Sequence, residues 1–116
     1  MIAENDLKIP KNVDAEEQVL AYCLADGSTD FYDSIAHKIT EEDFYLYSHK
    51  LIFRSVSSIA QRGEPLTEIS LVEDLKRSSA LDEVGIDRIA NLIGIITTQL
   101  HAHSSANIVK EKSELR

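Results

Sequence analysis

The sequence predicts an all-α domain of about six short helices. Only four Gly and two Pro interrupt its 116 residues, which leaves long stretches free of the residues that break helices. Apolar residues recur every three or four positions through most of the chain, the spacing of one face of an α-helix. Residues with the chemistry of helix N-caps precede several of these stretches. A chain of this length can bury roughly two-thirds of its unfolded surface in one core.

The first helix is expected to follow a flexible N-terminal arm, residues 1–13. Asp14 and Glu17 have the spacing of a capping box, in which each side chain accepts a hydrogen bond from the other residue's backbone N–H. They predict a helix over residues 15–25. Gly27 follows as its stop, because glycine readily adopts the left-handed conformation found after helix ends.

Two more helices are expected in the middle of the chain, separated by a single helical turn. A short helix is predicted over residues 30–37, and Thr40 can cap a turn at residues 41–44. Ser48 is the predicted cap of a longer helix that ends at Gly63. The apolar residues of that helix fall on one stripe: Leu51, Ile52, Val56, Ile59 and Ala60.

The next helix begins with a sharper signature. Thr67 can cap it, while Leu66 packs on Leu71 as a hydrophobic staple. This helix is expected to end near Ser78. Its inward-facing residues are predicted to be Ile69, Val72 and Leu75.

The last third of the chain predicts two further helices. A core-facing helix is expected over residues 86–96, with a strand as the alternative because many of its residues are β-branched. A final helix is predicted from about Ser104. No Gly or Asn caps it before Arg116, so we expect the natural protein to continue beyond this point. The predicted stripes are Ile86, Ile89, Ala90, Ile93 and Ile96 in the first helix and Ala106, Ile108, Val109 and Leu115 in the second.

The composition limits the kinds of partner that the chain can bind. The formal net charge is −8, whereas a protein that grips DNA through its phosphates needs a basic face. Little direct DNA binding is therefore expected, although Lys110, Lys112 and Arg116 can form a local basic patch. Cys23, the only cysteine, has apolar neighbours and is expected to be a buried structural thiol. The chain lacks an apolar run of about 18 residues and a basic signal region, which predicts a cytoplasmic location and no membrane contact.

No residue pattern points to catalysis. The four glycines are scattered, and none lies in the G-x-x-x-x-G-K-[ST] loop that binds nucleotide phosphates. The pair His101 and His103 lacks cysteines or carboxylates at metal-ligand spacing, so it is expected to lie in a solvated turn between helices rather than at a metal site. Three acids at residues 41–43 fit the positive end of a helix dipole. We therefore predict no catalytic, cofactor-binding or metal-binding residues in this chain.

Three stretches together resemble the N-terminal domain of the DnaB-type replicative DNA helicases. Residues 10–20 are similar to that family's P-x-N-x-E-A-E-x-x-V-L, with Asp14 in place of Glu. Residues 42–53 match E-D-F-Y-x-x-x-H-x-x-I-F at every motif position. Residues 62–75 resemble R-G-x-P-[IL]-[DT]-x-V-[ST]-L-x-x-x-L. The likeness weakens after Gly85 and returns at residues 106–112, which are similar to A-x-I-V-[KR]-E-K.

The resemblance implies a compact orthogonal bundle in which the last helix is the first helix of a truncated helical hairpin. The globular head would span residues 14–103, and the hairpin would begin at residues 104–116. The second hairpin helix, a linker and an ATPase domain would lie beyond Arg116. Phe44, Tyr45, His49 and Phe53, which carry the second motif, are assigned to the fold.

The resemblance also implies a role. In such helicases six N-terminal domains pair into a collar, a trimer of dimers, stacked on an ATPase ring that translocates 5′ to 3′ on single-stranded DNA. The collar docks primase and, in many systems, a helicase loader. The fragment itself would carry no reaction and no cofactor, while ATP and magnesium would belong to the parent protein. The candidate interface residues are Ile108, Val109 and Leu115.

Two other functions stay open at this point. The chain can be a free-standing helical adaptor or regulator of a replicative helicase that uses the same fold. A sequence-specific helical DNA binder is disfavoured by the charge and by the lack of a basic recognition helix.

Overall fold

The computed structural model describes residues 9–116, and all regular structure within them is helical, which confirms the all-α prediction. The elements are α1 Val13–Asp26, α2 Asp30–Ile35, a 3₁₀ turn Glu41–Asp43, α3 Tyr47–Gln61, α4 Glu68–Arg77, α5 Leu81–Val84, α6 Ile86–Ile93 and α7 Gln99–Leu115. Of the predicted arm, residues 1–8 lie outside the described residues. No helix within residues 9–116 is both long and apolar enough to span a bilayer.

Helix α1 lies at the centre of the fold, because it packs against α2, α3, α6 and α7. A helix covered on several sides must be apolar around most of its circumference, and α1 accordingly buries Val19, Leu20 and Cys23 completely. Burial, with a smaller contribution from the charge of Asp26, raises the pKa of the Cys23 thiol. The prediction that Cys23 is a buried structural residue is confirmed.

Several predicted caps are confirmed. Asp43 Oδ2 accepts from the Thr40 amide at 2.7 Å, which closes the 3₁₀ turn. Thr67 Oγ1 accepts from the Ser70 amide at 3.1 Å, and Ser70 Oγ accepts from the Thr67 amide at 2.9 Å. Gly63 follows α3 with φ of 73°, a conformation that is strained for residues with a Cβ. Each of these caps depends on contacts within a few residues, so it can be predicted from the sequence alone.

Three predicted helix starts are wrong. Asn12, not Asp14, caps α1, since its Oδ1 accepts from the Ala15 amide at 2.9 Å. Helix α3 begins at Tyr47 after Leu46, so Ser48 lies inside the helix rather than at its cap. Helix α7 begins at Gln99 instead of near Ser104, because Thr98 Oγ1 accepts from the His101 amide at 3.2 Å.

The two candidate caps of α1 make a direct test. Replacing Asn12 with alanine is expected to destabilise the domain by about 1 kcal/mol, the usual effect of removing an N-cap acceptor. Replacing Asp14 should cost about 0.5 kcal/mol or less, because an exposed acid in the first turn acts only through the helix dipole. Urea unfolding of both variants measures the difference. A larger loss for Asp14→Ala would restore the sequence-based cap.

Candidate interaction surfaces

Four large apolar side chains are exposed along α6, in the loop after it and in the first turn of α7. Ile86 and Ile93 lie one above the other on α6 and are 54% and 44% exposed. Ile96, in the connecting loop, is 97% exposed, and Leu100 in the first turn of α7 is 78% exposed. We call these four residues the elbow surface. A contiguous patch of exposed aliphatic residues is typical of an interaction site.

The elbow surface corrects the sequence-based prediction for this segment. Ile86, Ala90, Ile93 and Ile96 were expected to face the core with Ile89, but of this stripe only Ile89 is buried. Leu92 takes the place of the others in the core. The apolar residues of α6 form one wide stripe, and only the edge that carries Ile89 and Leu92 is buried. Spacing alone therefore predicts the helix but not which part of the stripe meets α1.

Helix α4 shows the same kind of error on a smaller scale. Ile69 was expected to face inward but is 77% exposed. Leu71 and Leu75 are completely buried, and Val72 is partly buried. Ile69 lies in the first turn of α4, where the chain has just left the surface loop.

The three candidate interface residues differ in how far they are exposed. Val109 is 2% exposed and belongs to the core, together with Ala102 and Ala106. Ile108 is partly buried, and Leu115 is 63% exposed. Helix α7 packs along α1, so its apolar stripe is already used largely within this chain. Their role at an interface stays a prediction, with Leu115 the most accessible of the three.

The end of α7 is held to the 3₁₀ turn by polar contacts. Asp43 Oδ1 accepts from Ser113 Oγ at 2.7 Å and lies 3.5 Å from Lys110 Nζ. Burial by itself would raise the pKa of the Asp43 carboxyl. The donors from Ser113, the Thr40 amide and Lys110 outweigh that effect and hold the pKa below the ordinary value of 3.8.

Two cations enclose an aromatic ring at the same end of the molecule. Lys11 Nζ lies 4.7 Å and the Arg116 guanidinium 5.6 Å from the centre of the Tyr45 ring. Arg116 also donates to the carbonyl oxygens of Asp43 at 2.6 Å and Pro10 at 2.9 Å. Lys110 and Arg116 are thus engaged within the chain, which leaves the predicted basic patch with few free charges.

A buried carboxylate joins α1 to the start of α3. Glu16 is 1% exposed, and its Oε2 accepts from the Tyr45 amide at 2.6 Å. Its Oε1 lies 2.8 Å from Nδ1 of the fully buried His49 and 3.5 Å from the Leu46 amide. Since a carboxylate oxygen accepts, this contact places the ring proton on Nδ1. Glu16 therefore supports the start of α3, the task that the sequence assigned to Ser48.

The aromatic residues of the second motif build the core around this pair. Phe44 and Phe53 are buried, with their ring centres 4.9 Å apart. Phe44 also meets His49 edge to face at 6.5 Å. Tyr45 is half-buried. The assignment of Phe44, His49 and Phe53 to the fold is confirmed, and that of Tyr45 stays a prediction.

A polar groove of about 230 Å³ lies between α3 and the turn after α4. Two of its charged groups are paired, Arg54 with Glu41 at 2.6 Å and Asp74 with Arg62 at 3.0 Å, and Glu83 also lines it. The remaining lining is dominated by hydroxyl groups, from Tyr47, Ser55, Ser58, Ser78 and Ser79. Such a lining offers hydrogen bonds but does not concentrate charge on one point.

The histidine pair takes a different position from the one expected. His101 and His103 lie within α7 rather than in a turn, and the His103 ring packs edge to face on Phe31 at 5.0 Å. Among the residues that the structure describes, no three or more histidines, cysteines or carboxylates lie close enough together to hold a metal ion.

Comparison with known proteins identifies the family to which the chain is similar. The family model described as "DnaB-like helicase N terminal domain" matches residues 8–111. The replicative DNA helicase DnaB of Buchnera aphidicola subsp. Baizongia pistaciae is 31% identical over 114 residues, covering 97% of this chain and 24% of the relative. The replicative DNA helicase DnaB of Geobacillus stearothermophilus is 31% identical over 108 residues, covering 92% of this chain and 23% of the relative.

A solved structure gives the same answer. The crystal structure of the N-terminal domain of DnaB helicase from Mycobacterium tuberculosis superposes with a TM-score of 0.86 at 28% identity, covering 94% of this chain and 77% of that one. The present chain spans about a quarter of the length of the curated relatives it matches. The chain belongs to the DnaB-like helicase N-terminal domain family.

Proposed function

We propose that this chain is the non-catalytic N-terminal domain of a replicative DNA helicase. In that role it assembles a collar of six such domains, a trimer of dimers, and docks primase and a helicase loader. ATP, magnesium and 5′ to 3′ unwinding would belong to an ATPase part of the parent protein. The chain itself would then contribute by positioning neighbouring subunits and partners through contacts between helices.

The observation that carries this proposal is the extent of the family match, residues 8–111 of 116. Nearly the whole chain is thus accounted for by a domain that lies at the N-terminus of helicases. The physical character of the surface agrees, because exposed aliphatic residues at the elbow suit protein contacts. A net charge of −8 disfavours tight binding to the phosphates of DNA.

A chimeric helicase tests the proposal. The chain is joined to the Geobacillus stearothermophilus helicase in place of the segment it matches, and is compared with the same helicase lacking that segment. We expect the chimera to form hexamers by mass photometry and to unwind a forked duplex with a 5′ tail, at rates at least about tenfold above the truncated form. Stimulation by the primase from the chain's own source tests docking.

A chimera no better than the truncated helicase would contradict the proposal. If the isolated chain instead changes unwinding by the intact helicase when added separately, the free-standing adaptor is the better description. Retention of labelled single-stranded DNA by the isolated chain at about 150 mM salt would support a DNA-binding role in its place.

A further inference from the structure

The polar groove between α3 and the turn after α4 contains a buried hydroxyl group that has no partner. Ser55 is only 3% exposed, yet its side chain lines the groove. Within residues 9–116, the side chains of α3 that form hydrogen bonds are those of His49, Lys50, Arg54 and Ser57, and Ser55 forms none. Buried polar groups are normally hydrogen-bonded, and alanine would serve the interior of α3 at least as well as serine. The fold does not account for this hydroxyl, whereas a ligand in the groove would.

We infer that this groove binds a lysine side chain of a partner protein, with the Ser55 hydroxyl among the groups that hold the ammonium. The inference rests on the proposed function, because it assigns one docking surface to a domain that recruits other proteins. The volume of the groove, about 230 Å³, suits the docking of a single side chain rather than of a folded element.

The turn after α4 supplies a second sign that the groove binds a ligand. Ser79 has a φ of 61°, whereas the other positive φ values within residues 9–116 belong to Gly27, Gly63 and Gly85. This conformation favours glycine after a helix end, because a residue with a Cβ is strained there. Backbone strain of this kind is concentrated at functional sites. Ser79 lines the groove, so a side chain is present where glycine would suit the fold better.

Charge selects a cation as the ligand. Asp74 and Glu83 both line the groove. Asp74 binds Arg62 through Oδ1 at 3.0 Å, which leaves its Oδ2 available, and Glu83 forms no ion pair within residues 9–116. Arg54, the cation of the lining, is already held by Glu41, with Nε at 2.8 Å and Nη2 at 2.6 Å from Oε2. The lining thus carries a small excess of negative charge, which attracts an ammonium and repels a phosphate or a carboxylate.

The lining identifies the cation as a lysine within a polypeptide. Leu51 and Ala80 give the groove apolar surface on which the methylene groups of a lysine can lie. A guanidinium pairs best with both oxygens of one carboxylate, and Asp74 has only one left. The α3 wall runs from Tyr47 to Ser58, a distance of about 16 Å along the helix. Its hydroxyl groups therefore extend past a single side chain and can reach the backbone of the partner segment.

An NMR titration of the isotope-labelled chain tests the inference, with a short end-capped alanine peptide that carries one central lysine as the probe. We expect a dissociation constant on the order of 1–10 mM, since a single side chain is bound. The largest shifts should occur at the amides of Ser55, Ser79 and Glu83. Glu83→Gln should weaken binding at least about fivefold and Ser55→Ala about threefold, because each removes a hydrogen bond to the ammonium. Ser79→Gly should weaken binding about threefold without lowering the thermal midpoint, since it relieves the strained φ.

Glu73→Gln is the matched control for Glu83→Gln. Glu73 is an exposed carboxylate on α4 that lies 3.4 Å from Lys76 and outside the groove, so this variant should keep the affinity within about 1.5-fold. The same peptide with an Nε-acetylated lysine lacks the charge and should not bind. Circular dichroism checks that all variants fold.

Absence of shifts with the lysine peptide, equal binding of the acetylated peptide, or equal weakening by Glu83→Gln and Glu73→Gln would overturn the inference. Butylamine that binds as tightly as the peptide would also overturn it, because the groove would then recognise a free amine rather than a segment of protein. None of these results decides the proposed function, which the chimeric helicase tests separately.

Discussion

Replacing Glu16 by alanine is expected to lower the free energy of unfolding by about 2–6 kcal/mol, because two donors lose their acceptor at a cost of about 1–3 kcal/mol each. The variant would leave the Tyr45 amide and His49 Nδ1 without the acceptor that each now reaches, at 2.6 and 2.8 Å. His49 Nε2 already lacks a partner among the described residues. The variant would then bury an imidazole with no hydrogen bond at all.

Two further variants separate the causes of this loss. Glu16→Gln keeps an oxygen for the Tyr45 amide but presents an NH₂ group as well, so a loss of roughly half that of alanine is expected. Glu17→Ala, on the same helix but only half-buried, should change stability by about 0.5 kcal/mol or less. Urea unfolding at pH 7 gives all three values. A Glu16→Ala variant as stable as Glu17→Ala would show that the pair contributes little.

Glu16 also shows why only part of this fold can be predicted from the sequence. Local caps act over three or four residues, and the cap predicted at Thr67 is confirmed, whereas those predicted at Asp14 and Ser48 are wrong. Glu16 and the Tyr45 amide are 29 positions apart along the chain. The family motif over residues 10–20 singles out Glu16 and not Glu17. It does not say what Glu16 contacts, because only the packing of α1 on α3 brings its carboxylate to the Tyr45 amide and His49.

The exposure of the elbow surface likewise depends on packing and cannot be predicted from local sequence alone. The spacing of apolar residues in α6 predicts a helix with one wide apolar stripe, but it does not say how much of that stripe is buried. Contact with α1 selects Ile89 and Leu92 and leaves Ile86 and Ile93 exposed. A signal was nevertheless present in the sequence, since the absence of charged residues from Ile89 to Val109 is unusual in a chain with 28% charged residues. Apolar spacing alone predicts a core-facing stripe there and does not distinguish buried from exposed apolar residues.

The attachment of α7 predicts a second large effect. Asp43→Asn is expected to destabilise the domain by about 1.5–3 kcal/mol at pH 7, the range for hydrogen bonds to a charged group. An asparagine retains one acceptor oxygen but cannot serve Ser113 Oγ and the Thr40 amide, both at 2.7 Å, with its NH₂ group. It also removes the attraction to Lys110, 3.5 Å away. The end of α7 should then exchange its amide hydrogens faster.

The pH dependence of this loss identifies the carboxylate as its cause. Because the folded domain holds the pKa of Asp43 below 3.8, its contribution is complete above that value and disappears as the pH falls through the lower, folded pKa. The difference between wild type and Asp43→Asn in urea unfolding should therefore be constant from pH 7 to about 5 and shrink below about pH 4. Glu42→Gln, an exposed neighbour in the same turn, should show no comparable difference at pH 7. A gap between wild type and Asp43→Asn that persists unchanged to pH 2 would mean that shape, rather than charge, holds α7 to the turn.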